Sequence, residues 1–420
     1  MFWKHNELKA ADMLSVKKAR ERILEFFSST NPIEIPLETS LGKFLSGDIV
    51  SKINLPLFDN SSMDGFAIIS KDTNGARSDH PIRLKVVDDI PAGKNPTITI
   101  KPGTCARIMT GAPIPKGADS VVRFEDTDFD FNHPGTSTPE FVESYEEVKQ
   151  GDNIRKCGDD IRIGDVVLQE KTRIRAQEVG FLASLGFEKV PVHRTPLAAI
   201  MSSGDELIPA NAPLSPGKTR DSNSYILKAL TEGAEAETLN LGIVPDDQHL
   251  IKESLDKAAA ANVDLIISSA GVSVGAFDYV RQVVEEYGNL DFWKVNVRPG
   301  KPLAFGSYRG IPFFGLPGNP VSAFISFELF VRPALLKMVG AAVLTRPIHQ
   351  VILEEDIKSD GRESYLRAIV VMDNGAWKAK LTGHQGSGNL HSLTSANALL
   401  ILPSGVKSLP AGSPIDCWFL

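Results

Sequence analysis

The chain has 420 residues and a formal net charge of −7, with 42% hydrophobic and 23% charged residues. It therefore has no global basic field to recruit nucleic acid, and no apolar run reaches the ~20 residues that span a bilayer. Three cysteines (Cys105, Cys157 and Cys417) stand far apart; their odd number fits a reducing cytoplasm and argues against a disulfide framework or a CxxC metal site.

The N-terminal text MFWKHNELKAADMLSVKKARERIL has no apolar core followed by a small-residue cleavage site. It reads as an amphipathic helix over 11–27, with Met13, Val16, Ala19, Ile23 and Phe26 or Phe27 on one face, ended by Asn31-Pro32. From Ile49 to Val167 helical periodicity is lost, and short runs such as IRLKVVDDI and TCARIMTGA alternate with Gly/Pro turns. Cys105 and Met109 read as packing residues, and the polar stretch 126–140 as an exposed loop or hairpin tip. KTRIRAQEVGFLASLGF (171–187) is helical again and ends at Gly186. From Pro196 to Gly340 strands and helices alternate. The strands read PLAAIMSS, AETLNLGIV, VDLIISS, FWKVNV, PLAFGS and IPFFGL; the helices fit 224–232, 248–260, 279–287 and 320–339. From Leu344 onward short β runs return.

The expected fold is thus a multidomain α/β and β protein with a central doubly wound α/β domain. A β-rich insertion domain, a small helical or mixed domain and a C-terminal β-barrel-like domain accompany it. The boundaries are 1–47 with 166–190 for the discontinuous N-terminal domain, 48–165 for the insertion, 191–341 for the α/β domain and 342–420 for the C-terminal domain.

Chain direction gathers the polar loops of the α/β domain. If its first three strands are parallel, Gly204-Asp205-Glu206, Pro245-Asp246-Asp247 and 271–278 leave the same edge. FWKVNV, which contains Lys294, brings Arg298-Pro-Gly-Lys301 there, and IPFFGL brings Pro317-Gly-Asn-Pro320. The segment TRDSN (219–223) lies within reach of that edge. Arg298 and Lys301 supply positive charge. The backbone of Gly271–Gly275 and the start of the Pro320 helix, with Asn319 as N-cap, supply N–H donors for an anion. Asp205, Glu206, Asp221, Asp246 and Asp278 oppose them, and carboxylates beside an anion call for a hard cation such as Mg²⁺. Singly, each motif is ordinary: Asp246-Asp247 reads as a helix cap, RPGK as a turn with solvated charges, GVSVG as one of many glycine-rich loops. Their meeting on one edge points to a phosphorylated ligand bridged to a metal. The eight histidines show no metal spacing; His384 and His391 read as surface or supporting residues.

SSAGVSVGAFDY, FWKVNVRPGKPLAFG, GLPGNPVS and SSGDEL strongly resemble the MoeA proteins and the E domain of gephyrin, the molybdopterin molybdenumtransferases. LPLFDNSSMDGFAI (55–68), RIMTGAPIPKGAD (107–119), NIRKCGDDI (153–161) and LTGHQGSGNL (381–390) resemble the same family, in its order, over nearly the whole chain. The resemblance implies a cytoplasmic enzyme whose central α/β domain is of the molybdopterin-binding type. It takes adenylylated molybdopterin and molybdate as substrates, cleaves the adenylate in a Mg²⁺-dependent step and yields molybdenum cofactor and AMP. It implies an elongated homodimer of four-domain chains, a cleft between the α/β domain of one subunit and the β-rich domain of its partner, and contact with the adenylyltransferase acting one step earlier.

Carried over position by position, the resemblance makes Asp64, Thr110, Asp160, Glu206, Asp246 and Asp278 the catalytic set. Glu206, Asp246 and Asp278 are also the metal ligands. Ser273, Lys294, Arg298, Lys301, Pro317, Pro320, Ser322, Arg362 and Ser387 become the substrate and molybdate set. Arg298 stands where the family commonly has Lys, Ala270 where a second glycine is usual, and TRDSN matches the YDTN-like text loosely. Two alternatives are open from the residues alone: a molybdopterin adenylyltransferase, whose loop resembles Gly-Gly-Thr-Gly where this chain has Gly271-Val-Ser-Val-Gly275, and a non-catalytic gephyrin-like scaffold.

Overall fold

A computed structural model describes residues 13–130, 137–269 and 279–420. The chain divides into two compact units, one comprising Met1–Gly47, Glu170–Ala183 and Phe187–Leu420, the other Asp48–Gln169 and Ser184–Gly186.

Helix α1 (Val16–Leu24) is shorter than the 11–27 expected, because Ser15 caps it by accepting the Lys18 N–H at 3.2 Å. Val16, Ala19 and Ile23 are its buried stripe. β1 (Pro32–Pro36) follows.

The second unit is built on a mixed five-stranded sheet of β2 (Gly65–Ile68), β3 (Ile82–Ile90), β4 (Thr104–Ile108), β5 (Ser120–Arg123) and β6 (Phe141–Ser144), in the order β5-β2-β4-β3-β6. Strand alternation sends Phe66 and Ile68 into one core with Leu84, Cys105 and Val122, and Ala67 into another with Ile90, Ile108 and Val121. At Gly65 a Cβ would stand 2.0 Å from the Val122 carbonyl oxygen, so β5 passes too close for any side chain. Gly65→Ala should therefore cost about 1–3 kcal/mol of stability, read from chemical denaturation; an unchanged midpoint would contradict this packing.

In the first unit, α2 (Ala176–Ser184) precedes β7 (Lys189–His193), which pairs antiparallel with β1. The α/β domain then runs β8 (Leu197–Ser203), α3 (Asn223–Glu232), β9 (Glu237–Val244), α4 (Gln248–Ala260), β10 (Leu265–Ser268), α5 (Tyr279–Tyr287), β11 (Gly288–Lys294), β12 (Pro302–Tyr308), β13 (Ile311–Gly315), α6 (Pro320–Ser326) and α7 (Arg332–Met338). The sheet order is β9-β8-β10-β13-β12-β11; β8, β9, β10 and β13 are parallel, and β12 is antiparallel to both neighbours. Alternate residues bury on opposite faces. Ile200, Ile267, Phe305 and Phe314 pack with Ile23, Leu227 and Val321; Met201, Ile266, Ala304 and Phe313 pack with Leu255 and Val283. Helices thus cover both faces, as in a doubly wound domain.

Two expectations need correction. The strand expected at 292–297 is displaced to 288–294, because β11 pairs along its whole length with β12, while Val297-Arg298 leaves the sheet to pair with Glu363-Ser364. The helix expected over 320–339 is interrupted at Phe327–Val331 by a π-helical turn that joins α6 to α7.

After α7 come β14 (His349–Leu353), β15 (Glu363–Asp373), β16 (Ala376–Leu381), α8 (Leu390–Thr394), β17 (Ala398–Leu402) and β18 (Pro414–Phe419). The pairings β15-β16-β14-β18-β17 return to β15, a closed five-stranded barrel without free edges. No helix among the described residues is long and apolar enough to cross a membrane.

Candidate functional site

The strands deliver four of the five expected loops to one edge of the α/β sheet, and hydrogen bonds tie three of them to their neighbours. The Gly204 N–H donates to the Val244 carbonyl at 3.3 Å, and the Asp246 N–H donates to Asp205 Oδ1 at 3.1 Å. The Leu316 N–H, just before Pro317, donates to the Ser268 carbonyl at 2.8 Å. The fifth loop, with Ser273, Asp278 and the Gly271–Gly275 backbone, lies outside the described residues.

Glu206 and Asp246 are exposed, as metal-ligand candidates should be. Gly204 has φ +149°, and a Cβ there would lie 2.6 Å from Glu206 Oε2, so the carboxylate folds back over the glycine. The cap of α4 is Asp247, whose Oδ1 accepts from the His249 and Leu250 N–H groups at 2.9 Å each; Asp246 is not the cap. Among the described residues no three His, Cys, Asp or Glu side chains gather as a metal cage.

The start of α6 offers less to an anion than its sequence promises. Asn319 is the cap by conformation but makes no side-chain cap bond, Pro320 has no N–H, and the Val321 N–H is taken by the Ser387 carbonyl at 3.1 Å. That last bond seats the GHQGSG loop on α6. The RPGK turn packs on the same helix: at Gly300, φ +104°, a Cβ would meet Ser326 Oγ at 2.8 Å, and the Ser322 carbonyl lies 3.6 Å from that position. Arg298 is half-buried beside this turn, and Lys301 and Lys294 are exposed.

The barrel adds two arginines of different character. Arg362 is neutralised: Nε and Nη2 contact Asp360 Oδ2 at 3.0 and 2.5 Å, and Nη1 donates to the Val297 carbonyl at 3.1 Å. The Arg362 guanidinium holds the Asp360 carboxyl down to about 2. A depressed carboxyl pKa stabilises the fold above its ordinary value and loses that contribution as pH falls through the folded value. Asp360→Asn should therefore cost at most about 1 kcal/mol at neutral pH, since the pair is partly exposed. The difference from the parent should vanish as pH falls from about 4 toward about 2. Denaturation midpoints across that range check it; a difference that persists at pH 2 would contradict the assignment.

Arg367 was not singled out in the sequence, and it is fully buried. Nε donates to Ser392 Oγ at 3.0 Å, Nη1 to the Gln385 carbonyl at 3.3 Å, and Nη2 to the Gly386 and His384 carbonyls at 3.0 and 3.4 Å. Among the described residues no carboxylate pairs with it. Burial first, and repulsion from Arg298 second, lower its pKa to about 10, which leaves it charged at neutral pH. Its sequence signal is an arginine inside the apolar strand SYLRAIVV, where a charge is costly to bury without a reason.

A cleft of about 590 Å³ opens between Glu206-Leu207, the 219–223 segment, Gly318–Pro320 and Gly388 with Leu390. It brings TRDSN into the site: Asp221 is buried and its Oδ1 accepts from Ser202 Oγ and the Ser224 N–H, each at 3.1 Å. Of the site residues carried over from the sequence, Glu206 and Pro320 line this cleft.

In the insertion unit, Asp64 and Thr110 face each other: Asp64 Oδ1 accepts from the Thr110 N–H at 2.7 Å and from Thr110 Oγ1 at 2.8 Å, and both residues are exposed. Asp160 is exposed and paired with Arg155 at 2.7 Å.

A doubly wound domain with a cation-lined sheet edge, followed by a closed barrel, defines a mixed α/β multidomain fold. Three family descriptions match in order: "MoeA N-terminal region (domain I and II)" over 14–186, "Probable molybdopterin binding domain" over 199–337 and "MoeA C-terminal region (domain IV)" over 350–420. Molybdopterin molybdenumtransferase 2 of Mycobacterium tuberculosis is 36% identical over 97% of this chain and 100% of that protein. The molybdopterin molybdenumtransferase of Bacillus subtilis is 35% identical over 96% of this chain and 93% of that protein. A crystal structure of molybdopterin biosynthesis MoeA protein from Pyrococcus horikoshii OT3 superposes with a TM-score of 0.82 at 32% identity, covering 97% of this chain and 100% of that one. The chain belongs to the MoeA family of molybdopterin molybdenumtransferases.

Proposed function

We propose that this chain transfers molybdenum from molybdate into adenylylated molybdopterin and releases AMP. The observation that carries this reading, beside the family membership, is geometric: the GHQGSG loop, whose Gln385 and Gly386 carbonyls accept from the buried Arg367, is bonded through Ser387 to α6, and the RPGK turn with Arg298 and Lys301 packs on the same helix. The positive charge of Arg298 and Lys301 beside that loop favours an anion there.

In this reading Arg298, Lys301 and Ser387 hold molybdate or substrate phosphate, with Lys294 and Ser273 as further donors. Arg362 braces the RPGK turn through the Val297 carbonyl. Arg367 keeps the loop carrying Ser387 in shape. Pro317, Pro320 and Ser322 fix the course of the loop entering α6. The exposed carboxylates Glu206 and Asp246, with Asp278, are hard oxygen donors that suit Mg²⁺. Mg²⁺ takes one or two carboxylates together with phosphate oxygens and water, so a full protein cage is not required. When bound there, it would neutralise phosphate charge and polarise the phosphoanhydride. Asp64, Thr110 and Asp160 are the acid and hydroxyl groups that the insertion unit contributes. The chain acts as a cytoplasmic homodimer with the four domains bounded as above, and it receives its substrate from the preceding adenylyltransferase.

The test is release of AMP from adenylylated molybdopterin by purified protein. Release is expected only with molybdate present. It should stop on chelation and return on adding Mg²⁺. Release without molybdate, or ATP-dependent adenylylation of free molybdopterin, would overturn the proposal, the latter in favour of adenylyltransferase activity.

A further inference from the structure

The segment Ser359-Asp360-Gly361-Arg362 leads into β15 beside the RPGK turn. Its Asp-Gly pair suits a tight turn, and the Arg362 N–H donates to Asp360 Oδ1 at 3.1 Å. Bonds from outside hold it as well. Ser359 Oγ and Ser364 Oγ lie 2.8 Å apart, the Ser359 N–H donates to the Lys407 carbonyl at 2.8 Å, and the Gly405 N–H donates to the Gly361 carbonyl at 2.8 Å. The backbone that carries Asp360 is thus fixed. Val297-Arg298 pairs in parallel register with Glu363-Ser364, and Arg362 Nη1 donates to the Val297 carbonyl, so this turn sits against the residues that lead into RPGK. Asp360 Oδ2 takes both Nε and Nη2 of Arg362, which meets the guanidinium charge inside the chain. The Asp360 carboxyl is held low first by Arg362 and also by the charge of Arg298, so it lies in the field of both arginines. The pair is partly exposed, 44% for the Asp360 side chain and 27% for that of Arg362, and such pairs add little stability. What Asp360 does supply is a fixed negative charge at an edge lined by cations.

We infer that Asp360 is a built-in counter-anion of the RPGK edge, whose fixed charge weakens oxyanion binding there and sets the molybdate concentration at which the site fills. The inference rests on the proposed function, which puts an oxyanion at this edge. An entering dianion meets Arg298 and Lys301 with their attraction partly cancelled, and it competes with Asp360 for Nε and Nη2 of Arg362. A unit charge acting on a dianion at roughly 8 Å in a solvent-like dielectric changes binding by about fivefold.

The test is equilibrium binding of sodium molybdate to the full-length protein, read by calorimetry. Asp360→Asn should bind molybdate about fivefold tighter than the parent. That ratio should shrink to within about twofold in about 1 M KCl, where charges are screened over about 3 Å. Asp360→Glu keeps the charge and should stay within about twofold of the parent. In the AMP-release assay the gain should appear as a lower KM for molybdate and not as a higher kcat, the mark of a change in ground-state binding. A residue that only braced Arg362 would move binding the other way. Equal or weaker binding in the folded Asn variant, a gain that salt does not reduce, or the same gain in Asp360→Glu overturns the inference. Binding that changes as stated without any AMP release keeps this inference and overturns the proposed function. Molybdate-dependent AMP release with equal binding by parent and Asn variant does the reverse, and no molybdate binding by either protein overturns both.

Discussion

Replacing Arg367 by methionine should reduce molybdate-dependent AMP release by about 100-fold, because the loop that carries Ser387 loses the three carbonyl bonds that hold its shape and a displaced site residue costs on that order. Stability should change much less. Desolvating the guanidinium opposes folding by several kcal/mol, and Met relieves that cost. Against it stand the lost bonds to Ser392 Oγ and to three carbonyls, two of them long at 3.3 and 3.4 Å. The two effects roughly offset, and the variant should unfold within about 2 kcal/mol of the parent. Arg367→Lys keeps the charge but cannot fork across the carbonyls, so it should recover only part of the activity. Turnover and denaturant midpoints measured on the same preparations separate the cases. A variant that loses stability and activity in proportion would make Arg367 a structural residue only.

Asp64→Asn should produce the second large effect, a loss of about 100-fold or more in turnover with almost no change in melting. An asparagine oxygen can still accept from the Thr110 N–H and Oγ1, so the local turn survives while the charge is removed. Thr110→Val removes one of those two bonds and should cost less than the charge. Full activity in the Asn variant would show that the negative charge at this position has no part in the reaction.

Much of the architecture was legible because periodicity and chain direction act over long segments. The boundaries of α4 and α5 coincide with their apolar spacing, and the strand directions follow from short loops at one sheet edge. The displaced β11 and the π-helical turn were not legible. Each depends on a tertiary partner, the β12 ladder in one case and the packing that surrounds Phe327–Val331 in the other. At the candidate site, motif text marked Arg362 and passed over Arg367. The two arginines look alike in sequence, and only the fold shows that Asp360 neutralises the first while the second is buried with no carboxylate partner among the described residues. TRDSN carried a loose match, yet the topology makes Asp221 and Asn223 part of the cleft wall. Conversely, the anion-binding power expected of the Pro320 helix is reduced by a bond that no local pattern foretells, from Val321 to the Ser387 carbonyl.

In the proposed reading the edge where the RPGK turn meets the GHQGSG loop is an oxyanion site serving molybdenum transfer. Its most direct test is anomalous diffraction at the molybdenum edge from crystals soaked in molybdate. A molybdenum peak is expected within hydrogen-bonding reach of Arg298, Lys301 or Ser387, and it should disappear in Arg298→Met. A peak elsewhere in the chain, with this edge empty at saturating molybdate, would contradict it.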